Sequence, residues 1–207
     1  MCGICGAVWT SSGQALAEAS LAAMMARLEH RGPDDSGTYH DAHAALGFRR
    51  LSIVDLAGGH QPLSNEDGTV WTVFHGEIYN FPALRRRLEA RGHVLRSAGD
   101  TEVLVHLYED EGTGMFALLR GMFALAIWDR PRQRLVLARD RMGQKPLFYA
   151  ETPGGGLVFG SEPKALLKHP DVPRRLDPDA LVPSPFYESV PAPHSTCGGI
   201  MKLPPAP

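Results

Sequence analysis

Between Gly121 and Glu162 the chain passes through four short apolar segments, GMFALAIWD, RLVLARD, PLFYAE and GLVFGSE, with turn signals such as Asp-Arg-Pro-Arg and Gly-Gly-Gly between them. Such a series reads as successive antiparallel strands. Two earlier segments, ALGFRRLSIVDL and VWTVFHGEIY, also read as strands, and CGICGAVW at the start suits a buried one. Helical spacing lies among them. Leu21, Met24, Met25 and Leu28 recur until a turn in EHRGPDDSG, and Leu84 and Leu88 form the inner stripe of a helix that starts at Asn80-Phe81-Pro82 and stops at Gly92. A third helix is expected from about Asp100 to Gly112, with Leu104, Leu107 and Tyr108 on one face. Strands, then helices, then strands point to an α+β domain in which helices cover sheets, not to alternating βαβ units.

The texture changes near residue 170, where prolines crowd in, including Pro183, Pro185, Pro191, Pro193, Pro204 and Pro205. The reading is a core over residues 1–170 and a Pro-rich extension over 171–207, an extended arm or linker. The 21 basic and 23 acidic residues nearly balance at −2 with no long run of one sign, which suggests neither nucleic acid nor an anionic membrane as partner. No apolar run approaches the roughly 20 residues of a membrane span, and the N-terminus lacks the pattern of a secretory signal. A cytoplasmic location is therefore expected, with Cys2, Cys5 and Cys197 as thiols.

Cys2 stands one residue from the start, three before Cys5. A thioredoxin-like Cys-x-x-Cys pair works at the N-terminus of a helix that follows a strand, and nothing precedes this one. A zinc site would need further ligands, and the nine histidines supply no companion pair at a recognised spacing, so no metal is expected. A third option is nucleophilic. Removal of Met1 would leave Cys2 with a thiol and a free α-amine, whose reference pKa is near about 8. That amine can serve as base for its own thiol, directly or through one water. The bland alternative, a buried strand cysteine, suits Cys5 better, because side chains three apart on a strand point to opposite faces.

Block by block and in order, MCGICGAVW, LEHRGPDDSG, LGFRRLSIVDL, GGHQPLSNEDG, FHGEIYNF, GDTEVLVHLYE, GMFALAIWD, ARDRMGQKPLFY and FGSEPKALL resemble the N-terminal glutamine amidotransferase domain of bacterial asparagine synthetases. The resemblance implies an N-terminal nucleophile hydrolase, a four-layer sandwich of two antiparallel sheets between helical layers. It implies that Cys2 attacks the side-chain amide of glutamine, forms a thioester and releases ammonia for an asparagine-synthetase-like, ATP-dependent amidation. No cofactor is expected in this chain itself. ATP and Mg belong with a separate or missing synthetase domain, because the family continues past Lys-Leu-Pro-Pro into a nucleotide-binding half and this sequence stops at Pro207. A synthetase domain or subunit is thus the expected partner, beside the substrate glutamine, and a homodimer is a further expectation.

The family's site residues carry over one at a time. Arg50 matches the arginine that holds the glutamine α-carboxylate, for which its planar fork suits it. Glu77 and Asp100 match the acceptors of the α-ammonium, and the backbone around Ile53 and Val54 matches the glutamine-binding strand. Gly76 matches a backbone donor of the oxyanion hole. Bland readings stand beside these: Asp100 could cap the helix after it, Glu77 could be a solvated turn acid, and Arg50 a surface arginine, although Arg49 could fill that last role. The pattern breaks at His75, where the family has an asparagine that donates to the oxyanion. A histidine donates only from the ring nitrogen that carries the proton, and loss of one such donor costs about 2.7–4 kcal/mol. If His75 replaces the asparagine, activity is expected to follow a group titrating near about 6.5. Two alternatives follow from this departure: a catalytically weak module that binds glutamine or a partner, and an amidotransferase that uses a different γ-glutamyl nitrogen donor. A second departure lies at Pro183 and Pro185, which fall where the family has a helix.

Overall fold

The apolar segments become two antiparallel sheets. The structure, a computed structural model, describes residues 1–11, 15–52, 59–181 and 190–205. Strands β1 (Gly3–Val8), β2 (Asp35–His40), β3 (Ala44–Arg50), β8 (Phe148–Thr152), β9 (Gly156–Gly160) and β10 (Met201–Lys202) form one sheet in the order β10-β8-β9-β1-β3-β2. Strands β4 (Leu63–Ser64), β5 (Val70–Ile78), β6 (Gly121–Asp129) and β7 (Arg134–Arg139) form the other in sequential order. Connections between neighbours in this second sheet include one long detour, from β5 to β6, which holds two helices.

Three apolar clusters define four layers. Ile4, Leu46 and Phe48 of the first sheet meet Val73, Ala124, Ala126 and Trp128 of the second, which fills the space between the sheets. Helix α1 (Glu18–Ala26) and the short α4 (Pro163–Leu166) cover the outer face of the first sheet through Leu21, Met24, Met25 and Leu166. Helices α2 (Phe81–Glu89) and α3 (Glu102–Glu111) cover the outer face of the second through Leu84, Leu88, Leu104 and Leu107. Residues of one strand therefore alternate between a sheet–sheet core and a sheet–helix core, which explains why β1, β3 and β6 are buried on both faces and read as continuous apolar runs.

The helix signals act locally as read. Pro82 occupies the first turn of α2, and Gly112, with φ of 55°, ends α3 in a conformation that disfavours a side chain. Two expectations are corrected. The turn in EHRGPDDSG gives way at Asp35, because Asp35-Ser36-Gly37 pairs with Arg50-Arg49-Phe48 as strand β2. The strand in ALGFRRLSIVDL stops at Arg50, and residues 53–58 lie outside the described part, as do Pro183 and Pro185. Beyond Pro170, Val172 and Ile200 are buried with α1 and α4, and β10 adds the edge of the first sheet beside β8. A fifth helix, α5 (Pro178–Leu181), lies in the same stretch. Among the described residues no helix is long and apolar enough to cross a membrane.

Candidate active site

The first strand places Cys2 at the inner end of the large sheet. Gly3 pairs with Arg49, so Cys2 emerges just beyond the last rung, part-buried, with the Leu51 N–H 3.4 Å from its Sγ and the Leu51 carbonyl 3.7 Å away. Its own carbonyl accepts a bond from Arg31 Nε at 3.1 Å. Arg31 is in turn fixed by Glu162, 2.7 Å from its Nη1. Burial opposes the Glu162 charge, but hydrogen bonds from Lys164, Arg31 and His30 overcome it and bring the carboxyl down to about 2. Three residues on, Cys5 faces the helical layer, fully buried, and desolvation lifts its thiol to about 12. The two cysteines thus take opposite faces, and only Cys2 borders solvent.

Cys2 opens into a cleft of about 180 Å³ whose walls include Arg50 from the end of β3, His75, Gly76 and Glu77 from the end of β5, and Asp100 from the start of α3. Six of the eight site residues singled out from the sequence therefore meet in one place, and Ile53 and Val54 lie outside the described residues. Arg50 is buried at 6% exposure, whereas Arg49 turns to the α1 side, where it donates to the Gly32 carbonyl and pairs with Glu29. Asp100 does not cap α3. One of its oxygens accepts the Ile78 N–H at 2.8 Å, while burial, reinforced by the neighbouring charge of Glu77, raises its pKa above the ordinary carboxylate value. A carboxyl in that state gains most from a cation brought beside it. Glu77 is exposed at the mouth. Gly76 pairs with Phe123, and a Cβ there would lie 2.1 Å from the Met122 carbonyl, so no other residue fits this rung.

His75 is buried at 1% exposure. Arg31 Nη2 lies 3.3 Å from its Nε2, and an arginine can only donate, so Nε2 is the acceptor and Nδ1 carries the proton. That Nδ1 is buried without a hydrogen-bond partner among the described residues. Desolvation, then the charges of Arg31 and Lys145, push the ring's pKa down to about 3. The expected titration near 6.5 is therefore corrected. The imidazole stays neutral across the neutral range, with a single N–H to offer.

Arg31, Lys145, Glu162 and Gln61 belong to the site although the sequence did not single them out. Lys145 lines the cleft and donates to Met1 Sδ at 3.3 Å. Gln61 accepts the Phe74 N–H at 2.7 Å and donates to Thr101 Oγ1 at 3.3 Å, which ties β5 to the start of α3. Arg31 and Glu162 stand in the blocks LEHRGPDDSG and FGSEPKALL, but 131 positions separate them and no local pattern connects the two.

Comparison with known proteins matches the chain to a family. The chain is 41% identical over 179 residues to the glutamine-hydrolysing asparagine synthetase 2 of Bacillus subtilis, covering 86% of this chain and 24% of that protein. It is 39% identical over 221 residues to a putative glutamine-hydrolysing asparagine synthetase of Mycobacterium tuberculosis, covering 98% of this chain and 34% of that one. The chain thus spans only about a quarter to a third of these relatives. Among solved structures, the glutamine phosphoribosylpyrophosphate amidotransferase from B. subtilis superposes with a TM-score of 0.63 at 20% identity, covering 79% of this chain and 42% of that one. This likeness shows that the chain shares the fold of that amidotransferase, two antiparallel sheets between helical layers. The family of glutamine amidotransferase domains matches residues 1–207, and the chain belongs to that family.

Proposed function

We propose that this domain hydrolyses glutamine to glutamate and ammonia through Cys2, and that the ammonia feeds an asparagine-synthetase-like, ATP-dependent amidation on another domain or subunit. The supporting observation is the charge layout of the cleft: buried Arg50 and half-buried Asp100 share it with the Cys2 thiol. A free amino acid carries one carboxylate and one ammonium, and these two side chains complement that pair, leaving the γ-amide for the sulfur. Arg50 fixes the carboxylate, and Asp100 with Glu77 takes the ammonium.

Removal of Met1 frees the Cys2 amine, which takes the thiol proton as sulfur attacks the amide carbon. The C–N bond breaks, the proton passes to the departing nitrogen, and ammonia leaves a γ-glutamyl thioester that water then cleaves. The Gly76 N–H and the His75 Nδ1–H supply the oxyanion donors, the second in place of the family's asparagine amide. Arg31 sets the His75 tautomer. The greater length of the relatives, named for asparagine synthesis, supports a synthetase partner.

A glutaminase assay on Met1-processed protein tests the reading: ammonia release that disappears in Cys2→Ala supports it, and no release above background overturns it. The substitution at His75 favours one second reading, a γ-glutamyl donor other than glutamine. A hydroxamate donor processed faster than glutamine would select it.

A further inference from the structure

On the far side of the second sheet from the Cys2 cleft's sulfur, four side chains from three segments converge: Glu66 from the turn between β4 and β5, His93 from the loop after α2, and His106 and Glu109 one turn apart on α3. One ligand-type atom from each lies within 4.8 Å of the other three. We propose that these four residues form a binding site for a zinc-like divalent cation.

The donor spacing comes first. His106 Nδ1 lies 3.2 Å from Glu66 Oε2 and 3.1 Å from Glu109 Oε2, and His93 Nδ1 lies 3.4 Å from Glu66 Oε1. A tetrahedral ion with nitrogen and oxygen ligands at about 2.0–2.1 Å separates its ligand atoms by about 3.3 Å, so the two edges that meet at His106 Nδ1 already have its length, while His93 Nδ1 approaches the other oxygen of the Glu66 carboxylate.

Each imidazole is also backed by a second carboxylate. His106 Nε2 faces Glu102 Oε1 at 3.8 Å, and His93 Nε2 faces Asp110 Oδ1 at 3.3 Å. At His93 this is the arrangement that fixes metal-bound histidines, in which one nitrogen meets the ion and the other donates outward to a carboxylate, and at His106 the carboxylate stands just beyond hydrogen-bond distance. Without a cation the protonation pattern is awkward. A proton on His106 Nδ1 serves Glu109 and Glu66 but leaves the Nε2 lone pair, which is buried and has no hydrogen-bond partner, turned toward another carboxylate. A divalent ion removes this conflict: it takes Nδ1 of each ring, leaves Nε2–H to donate, and neutralises Glu66 and Glu109.

The remaining lone pairs are organised for the same task. Glu109 Oε1 is occupied by Asn65 Nδ2 at 2.8 Å, which presents Oε2 to His106, and Glu102 is held in place by the N–H groups of Arg96 and Ser97. Two nitrogens and two carboxylate oxygens match zinc better than magnesium or calcium, which prefer oxygen alone. Four protein ligands make a structural site, which here would pin the turn at Glu66 and the loop at His93 to α3. No spacing motif announces it, because only His106 and Glu109 are close in sequence.

The full chain, with Cys2→Ser and Cys197→Ser to remove the thiols that border solvent, is titrated with Zn²⁺ against a chromogenic chelator. The expected result is one zinc per chain, with affinity at least about tenfold weaker in His93→Ala and in Glu66→Gln. These two side chains are partly exposed, so the variants avoid the buried His106. Cobalt should give the intense visible absorption of a tetrahedral ion in the parent and lose it in both variants. Failure to bind one equivalent, or equal affinity in the parent and both variants, would overturn the site.

Discussion

Burial of a neutral His75 has a measurable cost in acid. Its pKa falls from the ordinary 6.5 to about 3, and the side chain is almost wholly buried, so the folded state resists protonation by about 5 kcal/mol. The unfolded chain meets no such resistance. Above about pH 6.5 the ring is neutral in both states and titration contributes nothing; as pH falls below that value the unfolded state binds the extra proton, and stability is lost progressively until pH reaches the folded value of about 3. By about pH 5 the loss from this one residue amounts to about 2 kcal/mol. His75→Asn removes the titrating group while keeping a polar side chain of the kind the family carries there. Urea unfolding of parent and variant at about pH 7 and about pH 5 isolates the effect, since every other ionisable group is common to both. The parent should lose about 2 kcal/mol more than the variant between the two conditions. An equal loss in both proteins would mean that the ring is protonated, or solvated, in the folded state. The rate profile gives a second reading of the same property: glutamine hydrolysis should show no step from His75 near about pH 6.5, and a step abolished by His75→Asn would refute the neutral ring.

Three further outcomes are expected. Arg50→Ala and Asp100→Asn should each raise KM for glutamine about ten- to a hundredfold, the range for loss of a charged hydrogen bond, and an unchanged KM in both would remove them from substrate binding. Alkylation of the native protein should modify Cys2 and spare Cys5, whose buried thiol stays protonated to about pH 12, while an N-terminal tag that cannot be removed should abolish thioester formation; mass spectrometry of peptides decides both. Gly76→Ala should unfold or severely destabilise the domain because its Cβ would meet the Met122 carbonyl at 2.1 Å, whereas Gly92→Ala, with nothing within 4 Å, should cost about 1 kcal/mol from its φ of 99° alone.

Much of the architecture was legible because burial on both faces leaves an unmistakable trace. GMFALAIWD cannot be a surface segment, and β6 indeed lies between two cores. Strand β2 was less legible for the opposite reason. DSGTYH carries no apolar run, and its backbone pairing with β3 at the sheet edge, not its side chains, makes it a strand. At the candidate site, Cys2, Arg50, Gly76 and Asp100 could be named from their blocks. The state of His75 could not, since its tautomer depends on Arg31, 44 positions away, and its charge on burial first and then on Arg31 and Lys145 from other segments. Asp100 shows how close two readings can be: the residue sits where a helix cap would, yet its oxygen goes to the Ile78 N–H across the cleft.

Chain termini ordinarily fray, and backbone amides within a few residues of an end exchange with solvent almost freely. Strand β1 lies inside the large sheet, with β3 on one side and β9 on the other, and the Ile4 N–H is bonded to Ser161 Oγ at 3.0 Å while the Ile4 carbonyl accepts the Ser161 N–H at 2.9 Å. Strand β1 therefore belongs to the slowest-exchanging part of the molecule, and its amides can open only when the central sheet itself comes apart. Deuterium uptake at residues 3–7 should track global unfolding, so that the strand carrying Cys2 at its entrance is among the last to move.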